Sequence, residues 1–172
     1  MNRLFIVMGV SGSGKTTVGR LLAQALRLPF YDADDFHSAT NTEKMRGGIA
    51  LTDADRGSWL ATLAAGLGTW ETVGGAVLAC SALKEQYRAV LQAGATTPIN
   101  WVVLDGDREL LVARLGGRSG HYMGVGLLDS QLAAFEPPAY GLHLSIGPAP
   151  EELVRLILAR LSAEPASFPS AR

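Results

Sequence analysis

The chain has one cysteine, Cys80, and no surplus of either charge: 15 lysines and arginines face 16 aspartates and glutamates, a formal net charge of −1. A single cysteine cannot close a disulfide within the chain and suits a reducing compartment, so a cytoplasmic location is expected. Without a positive excess there is no basic field to hold nucleic acid or an anionic membrane surface. No apolar run reaches the ~18 residues of a membrane span. The opening MNRLFIVMGV sets Arg3 before an apolar stretch, yet that stretch stops at a glycine-rich octet. No A-x-A-like cleavage site follows, so it is not read as a signal peptide. What is present is an ordinary globular composition, 172 residues with 48% hydrophobic and 18% charged. That is enough for one domain over residues 1–172 with a sizeable core.

Residues 9–16, GVSGSGKT, match G-x-x-x-x-G-K-[ST] with Gly9, Gly14, Lys15 and Thr16 in the fixed positions and Val10, Ser11, Gly12 and Ser13 between them. A phosphate cradle needs successive backbone N–H groups turned into one concavity, which favours glycine. It also needs a helix N-terminus behind it, where unpaired N–H groups and the dipole attract an anion. Val18, Leu21, Leu22, Ala25 and Leu26 follow one helical face directly after the octet, and Leu4–Met8 reads as a strand before it. The octet and Thr17 are therefore expected to hold nucleotide phosphates.

Strand-like runs at 4–8, 29–32, 76–80, 100–105 and 142–146 alternate with helical patterns at 15–26, 53–70, 83–92, 107–116 and 150–161. Such alternation predicts an α/β architecture of three layers, a parallel five-stranded sheet with helices on both faces. Thr52-Asp53-Ala54-Asp55 reads as a capping-box start, and Pro150 with two glutamates opens the last helix. The tail from about Ser162 lacks periodicity and is expected to fray. Residues 116–126, GGRSGHYMGVG, carry no strand or helix pattern and are expected to form a lid containing Arg118 and His121, a plain surface loop being the alternative.

The second chemical signal is YDADDFH, residues 31–37, at the end of the second strand. On an extended segment residues i and i+2 share a face, which puts Asp32 beside Asp34. One carboxylate can orient metal-bound water while the other accepts the proton of an attacking hydroxyl. An acidic turn closing a strand is the plainer alternative.

GVSGSGKTT, YDADDFH, NTEKM, LTDADR followed by WL, LACSALKEQYR and LLDSQ with EPP stand in order over roughly residues 4–138. Together they resemble the gluconokinase family, P-loop sugar-acid kinases related to shikimate kinases. The resemblance implies a nucleoside-monophosphate-kinase-like fold, usually a dimer, that uses ATP and Mg²⁺ to phosphorylate D-gluconate. It implies that Gly12 to Thr16 hold the β and γ phosphates, with Lys15 neutralising them and Thr16 reaching Mg²⁺. Asp32 would support the metal, and Asp34 would bind the substrate hydroxyl and act as base. Arg56 would take the carboxylate of gluconate, a planar anion that suits a guanidinium fork. His37, Lys44, Lys84, Arg88 and His121 would line the substrate side, although solvated helix surface equally suits Lys44 and Arg88. Arg118 would close with the lid on the transferring charge, and Arg114 would lie against the adenine. Cys80 reads as a small buried residue, and Asp105 either imitates a metal-binding acid or caps the next turn.

The chain departs from the family pattern at Ala50, where a proline is usual, at Gly57-Ser58, where more bulk is usual, at MGVG after His121-Tyr122, and beyond Pro138. These departures bear on the lid and on substrate choice. Rival expectations are a kinase for shikimate or another small acceptor, and a non-catalytic nucleotide-binding module.

Overall fold

The computed structural model describes residues 3–116 and 125–163. Three nearly all-apolar runs form the middle of a sheet: β1 (Leu4–Met8), β3 (Ala76–Cys80) and β4 (Asn100–Asp105). Strands with continuous apolar sequence must be covered on both faces, and all but the last residue of β4 are buried. The shorter β2 (Phe30–Asp32) and β5 (Leu142–Ser145) form the edges. The order is β2-β3-β1-β4-β5, and every neighbouring pair is parallel.

Because strand side chains alternate between faces, the five residues of β1 feed two cores. Leu4, Ile6 and Met8 pack with Trp59, Leu63 and Leu67 of α3 (Asp53–Thr72) and with Tyr87 and Leu91 of α4 (Glu85–Ala93). Phe5 and Val7 pack with Val18 and Leu22 of α1 (Lys15–Leu26), and the same layer holds residues of α5 (Arg108–Gly116), α6 (Val125–Ala134) and α7 (Pro150–Ala163). The expected three-layer architecture and its five parallel strands are present.

Three features depart from the sequence reading. Residues Val125–Ala134 form the helix α6, which none of the expected helical patterns covers and whose first two residues fall in the expected lid. Residues Ala39–Arg46 form a helix, α2, despite lacking an apolar face; Ser38 caps it by accepting from the N–H of Asn41, and Asn41 donates to the carbonyl of Asp55. Residues Ala33–Phe36 form one 3-10 turn after β2. The capping box at α3 is as expected: the Thr52 hydroxyl accepts from the Asp55 N–H and the Asp55 carboxylate accepts from the Thr52 N–H. Ser162 and Ala163 still belong to α7, while the rest of the tail and residues 117–124 of the expected lid, with Arg118 and His121, lie outside the described residues. No helix among the described residues is long and apolar enough to cross a membrane.

The chain leaves β1 toward β2 on one side and leaves β3 toward β4 on the other. A crevice therefore opens at the carboxyl ends of β1 and β3, the place where ligands bind in open α/β sheets.

Candidate active site

The turn after β1 has the shape of an anion cradle. Gly14 stands at φ 92° and ψ 17°, a left-handed conformation that hands the chain into α1. Gly9 has φ 151°, and a Cβ there would stand 2.9 Å from the Leu104 carbonyl oxygen. Lys15 Nζ reaches back 3.1 Å to the Val10 carbonyl. Ser13 is buried, and its hydroxyl oxygen has no hydrogen-bond partner among the described residues. Such glycine geometry and an orphaned polar atom beside a helix N-terminus fit a phosphate chain. Thr17 is exposed in the first turn of α1, and Arg114 donates to the Ile146 carbonyl while its guanidinium lies over Gly14.

Thr16 Oγ1 donates to Asp32 Oδ2 at 2.8 Å. A hydroxyl and a carboxylate at this spacing supply the hard oxygen donors that Mg²⁺ prefers, so the pair fits the ion. The other carboxylate oxygen, Oδ1, accepts from the N–H of Asp34 at 3.1 Å and caps the 3-10 turn. Here the sequence reading needs correcting. Asp32 and Asp34 are close because Asp32 caps the turn in which Asp34 sits, and strand alternation plays no part.

Trp59 fixes that turn from below by donating Nε1–H to the Ala33 carbonyl at 2.7 Å. Asp34 opens to solvent, with 69% of its side chain exposed, at the floor of the crevice. The protein mass around it raises its pKa, burial being the largest cause; Lys15 and Arg56 pull down, while Asp32 and Asp35 push up. Water still reaches the carboxyl from the open side, so the upward push is that of a concavity and not of a core. His37 is the reverse case. It stacks on Trp59 at 4.4 Å, its side chain is only 2% exposed, and burial followed by the nearby Arg56 charge lowers its pKa to about 4. It is neutral at physiological pH, and its Nε2 stands 3.9 Å from Asp34.

Beside this turn lies a cavity of about 310 Å³ walled by α3, α4 and α6, with Arg56, Lys84, Asp53, Tyr87 and Gln131 in its lining. The volume is that of a small-molecule site. Arg56 lies over the rings of Trp59 and Tyr87, 5.9 and 5.6 Å from their centroids. Among the described residues no carboxylate pairs with it. Lys84 is paired with Asp53 at 2.9 Å. That bond, then one from the Tyr87 hydroxyl, holds the Asp53 carboxyl at about 2.

Lys84 and Arg56 thus share one cavity, which Arg88 and Lys44 do not line. Arg88 is 1% exposed, and its guanidinium donates to the carbonyls of Ala82, Leu83 and Glu136 and to Glu85 and Tyr140. It braces the fold and has no donor face for a substrate. Lys44 is held at 2.7 Å by Asp55 of the capping box. Cys80 is buried at the end of β3 with its thiol pushed up to about 12, so it is no nucleophile. Asp105 holds His143 at 2.9 Å. Sequence reasoning missed Asp53, Tyr87 and Gln131. The first was absorbed into the helix cap, the second into the apolar face of α4, and the third is an uncharged side chain with no spacing signal.

A family model described as shikimate kinase matches residues 11–121. A thermosensitive gluconokinase from Escherichia coli K12 is 45% identical over 135 residues, covering 78% of this chain and 72% of that protein. A gluconokinase from Arabidopsis thaliana is 38% identical, with 91% and 90% covered. The crystal structure of a gluconokinase from Sinorhizobium meliloti superposes with a TM-score of 0.85 at 38% identity, covering 94% of this chain and 92% of that one. With the phosphate loop, the sheet order and the acidic turn in place, these likenesses show that the chain belongs to the gluconokinase family of shikimate-kinase-like P-loop kinases.

Proposed function

We propose that this protein transfers the γ-phosphoryl group of ATP to the terminal hydroxyl of D-gluconate, yielding 6-phospho-D-gluconate and ADP. The observation that carries the acceptor is Arg56: a guanidinium with no carboxylate partner among the described residues, in a cavity beside Asp34. The relatives' names, gluconokinase, support the same acid.

In this reading the backbone N–H groups from Gly12 to Thr16 hold the β and γ phosphates, and Lys15 offsets their charge. When bound, Mg²⁺ would be held through Thr16 and Asp32 and would neutralise charge on the β and γ oxygens. Arg56 receives the carboxylate of gluconate, and Lys84 reaches its hydroxyls. The terminal hydroxyl then lies toward Asp34, which accepts its proton. The new bond joins that oxygen to the γ phosphorus, the bond to the bridging oxygen breaks, and ADP leaves with the electron pair. The raised pKa of Asp34 moves this carboxylate toward a better proton acceptor. Arg114 would lie against the adenine, and Arg118 and His121 would act with the lid, roles that rest on the family resemblance. That resemblance also supports a homodimer, and the single cysteine a reducing, cytoplasmic compartment.

ADP release measured with D-gluconate, glucose, shikimate and AMP as separate acceptors tests the reading. Gluconate should exceed glucose by about a hundredfold or more in kcat/KM, since glucose leaves Arg56 unpaired. Equal turnover of glucose, or preference for shikimate or AMP, overturns it.

A further inference from the structure

One side chain belongs to both halves of the crevice. Gln131, on α6, accepts a hydrogen bond from the backbone N–H of Ser11 at 2.7 Å, across 120 residues of sequence. Ser11 is the third residue of the phosphate loop, and Gln131 also lines the acceptor cavity with Arg56 and Lys84. The amide's orientation follows from chemistry. Ser11 presents an N–H, so the atom meeting it is the oxygen, and the donor Nε2 is the other branch of the amide.

The platform under Gln131 is fixed. Just beyond α6, Glu136 donates its N–H to the Leu83 carbonyl at 2.9 Å, and its side chain accepts from the N–H of Glu85 at 2.7 Å. The buried Arg88 holds the Glu136 carbonyl at 2.8 Å. Earlier along α6, Asp129 pairs with Arg108 at 2.7 Å. Gln131 is therefore on a helix tied at its middle and just past its C-terminal end, one hydrogen bond from the phosphate loop and on the wall of the acid's cavity.

We propose that Gln131 is a positioning residue shared by the two substrates. Its Oε1 fixes the phosphate loop at Ser11, and its Nε2 donates to a hydroxyl of the acid, so that filling one site steadies the other. This rests on the gluconate reading above and adds to it a residue that couples the two ligands.

The test compares wild type with Gln131→Met and Gln131→Glu. ADP affinity is measured by titration calorimetry with and without saturating gluconate, and kcat and KM for gluconate are measured separately. ADP is the nucleotide probe because it lacks the terminal phosphate that a new carboxylate would repel. In wild type, gluconate should tighten ADP binding by about fivefold or more. Gln131→Met, which loses both hydrogen bonds, should abolish that coupling and raise the gluconate KM about tenfold. Gln131→Glu keeps an acceptor for Ser11, so ADP alone should bind within about twofold of wild type, while KM still rises. If the methionine variant fails to fold, the glutamate variant decides.

Absence of coupling in wild type overturns the proposal, as does an unchanged gluconate KM in the variants. A loss of ADP affinity alone would make Gln131 a prop for the loop and overturns it equally. A wild-type protein that turns over no gluconate brings down the acceptor reading itself. Turnover of gluconate by wild type with unaltered variants brings down only the role of Gln131.

Discussion

The hydroxyl of Thr16 and the carboxylate of Asp32 meet at 2.8 Å, joining the first turn of α1 to the end of β2. The pair sits one residue beyond Lys15 and two before Asp34, so a change there should be felt by the metal first. Asp32→Asn replaces one anionic oxygen by an amide nitrogen that cannot coordinate. The Mg²⁺ concentration for half-maximal turnover should rise about 10- to 100-fold, with kcat recovering at saturating Mg²⁺. A metal titration of the mutant that overlays the wild type would remove Asp32 from that role.

Asp34→Asn keeps the shape and loses the proton acceptor. Turnover should fall roughly ten- to a thousandfold, with nucleotide affinity little changed by calorimetry. The pH dependence has a defined sign. Asp34 works ionised and its pKa is raised, so kcat/KM should fall with acidification at a higher pH than an ordinary carboxylate gives. That limb should vanish in the variant. Stability runs the other way: a raised folded-state pKa means stability present below 3.8 is lost as pH rises through the folded value. Asp34→Asn should therefore melt no lower than wild type at neutral pH.

His37 has the opposite linkage. Its folded pKa of about 4 lies below the ordinary 6.5, so the stability it contributes is present above 6.5 and lost as pH falls toward 4. Thermal melts should show Tm declining through that window. His37→Phe, which keeps a ring on Trp59, should flatten this part of the decline. An identical profile in both proteins would mean that His37 does not carry it.

Arg88→Met tests whether the buried guanidinium braces the fold or serves the substrate. Removing a buried guanidinium leaves the carbonyls of Ala82 and Glu136 without their donor and takes one partner each from Leu83 and Glu85, a loss of about 3–5 kcal/mol. That corresponds to roughly 6–20 °C in Tm for a chain of this size. At a temperature where the variant is folded, its gluconate KM should stay close to wild type. A raised KM with an unchanged Tm would return Arg88 to the substrate site.

The sheet was readable because its strands are continuous apolar runs, and α1 because Val18, Leu21, Leu22, Ala25 and Leu26 keep one face. Helix α2, ATNTEKMR, buries only Asn41 and is held by caps, so periodicity gave no hint of it. Lys84 and Arg88 are both cations at the start of α4, and nothing local tells them apart. Packing does: Arg88 follows Tyr87 onto the buried side of α4, while Lys84 precedes the helix and faces the cavity. Asp53 and Asp55 likewise share one short motif. The cap uses Asp55, which leaves Asp53 to hold Lys84. Such divisions depend on contacts from 31 residues away, beyond the reach of a local pattern.

Cys80 ends β3 in the middle of the crevice, sealed from water and with its thiol pushed up to about 12. Thiol reagents attack the thiolate, so in the folded protein this sulfur is both unreachable and in the wrong ionisation state. Labelling must wait until β3 parts from its neighbours. The single thiol is thus a clock for opening of the sheet: its labelling rate reads out how often the floor beneath the phosphate loop comes apart, and how far a bound nucleotide slows it.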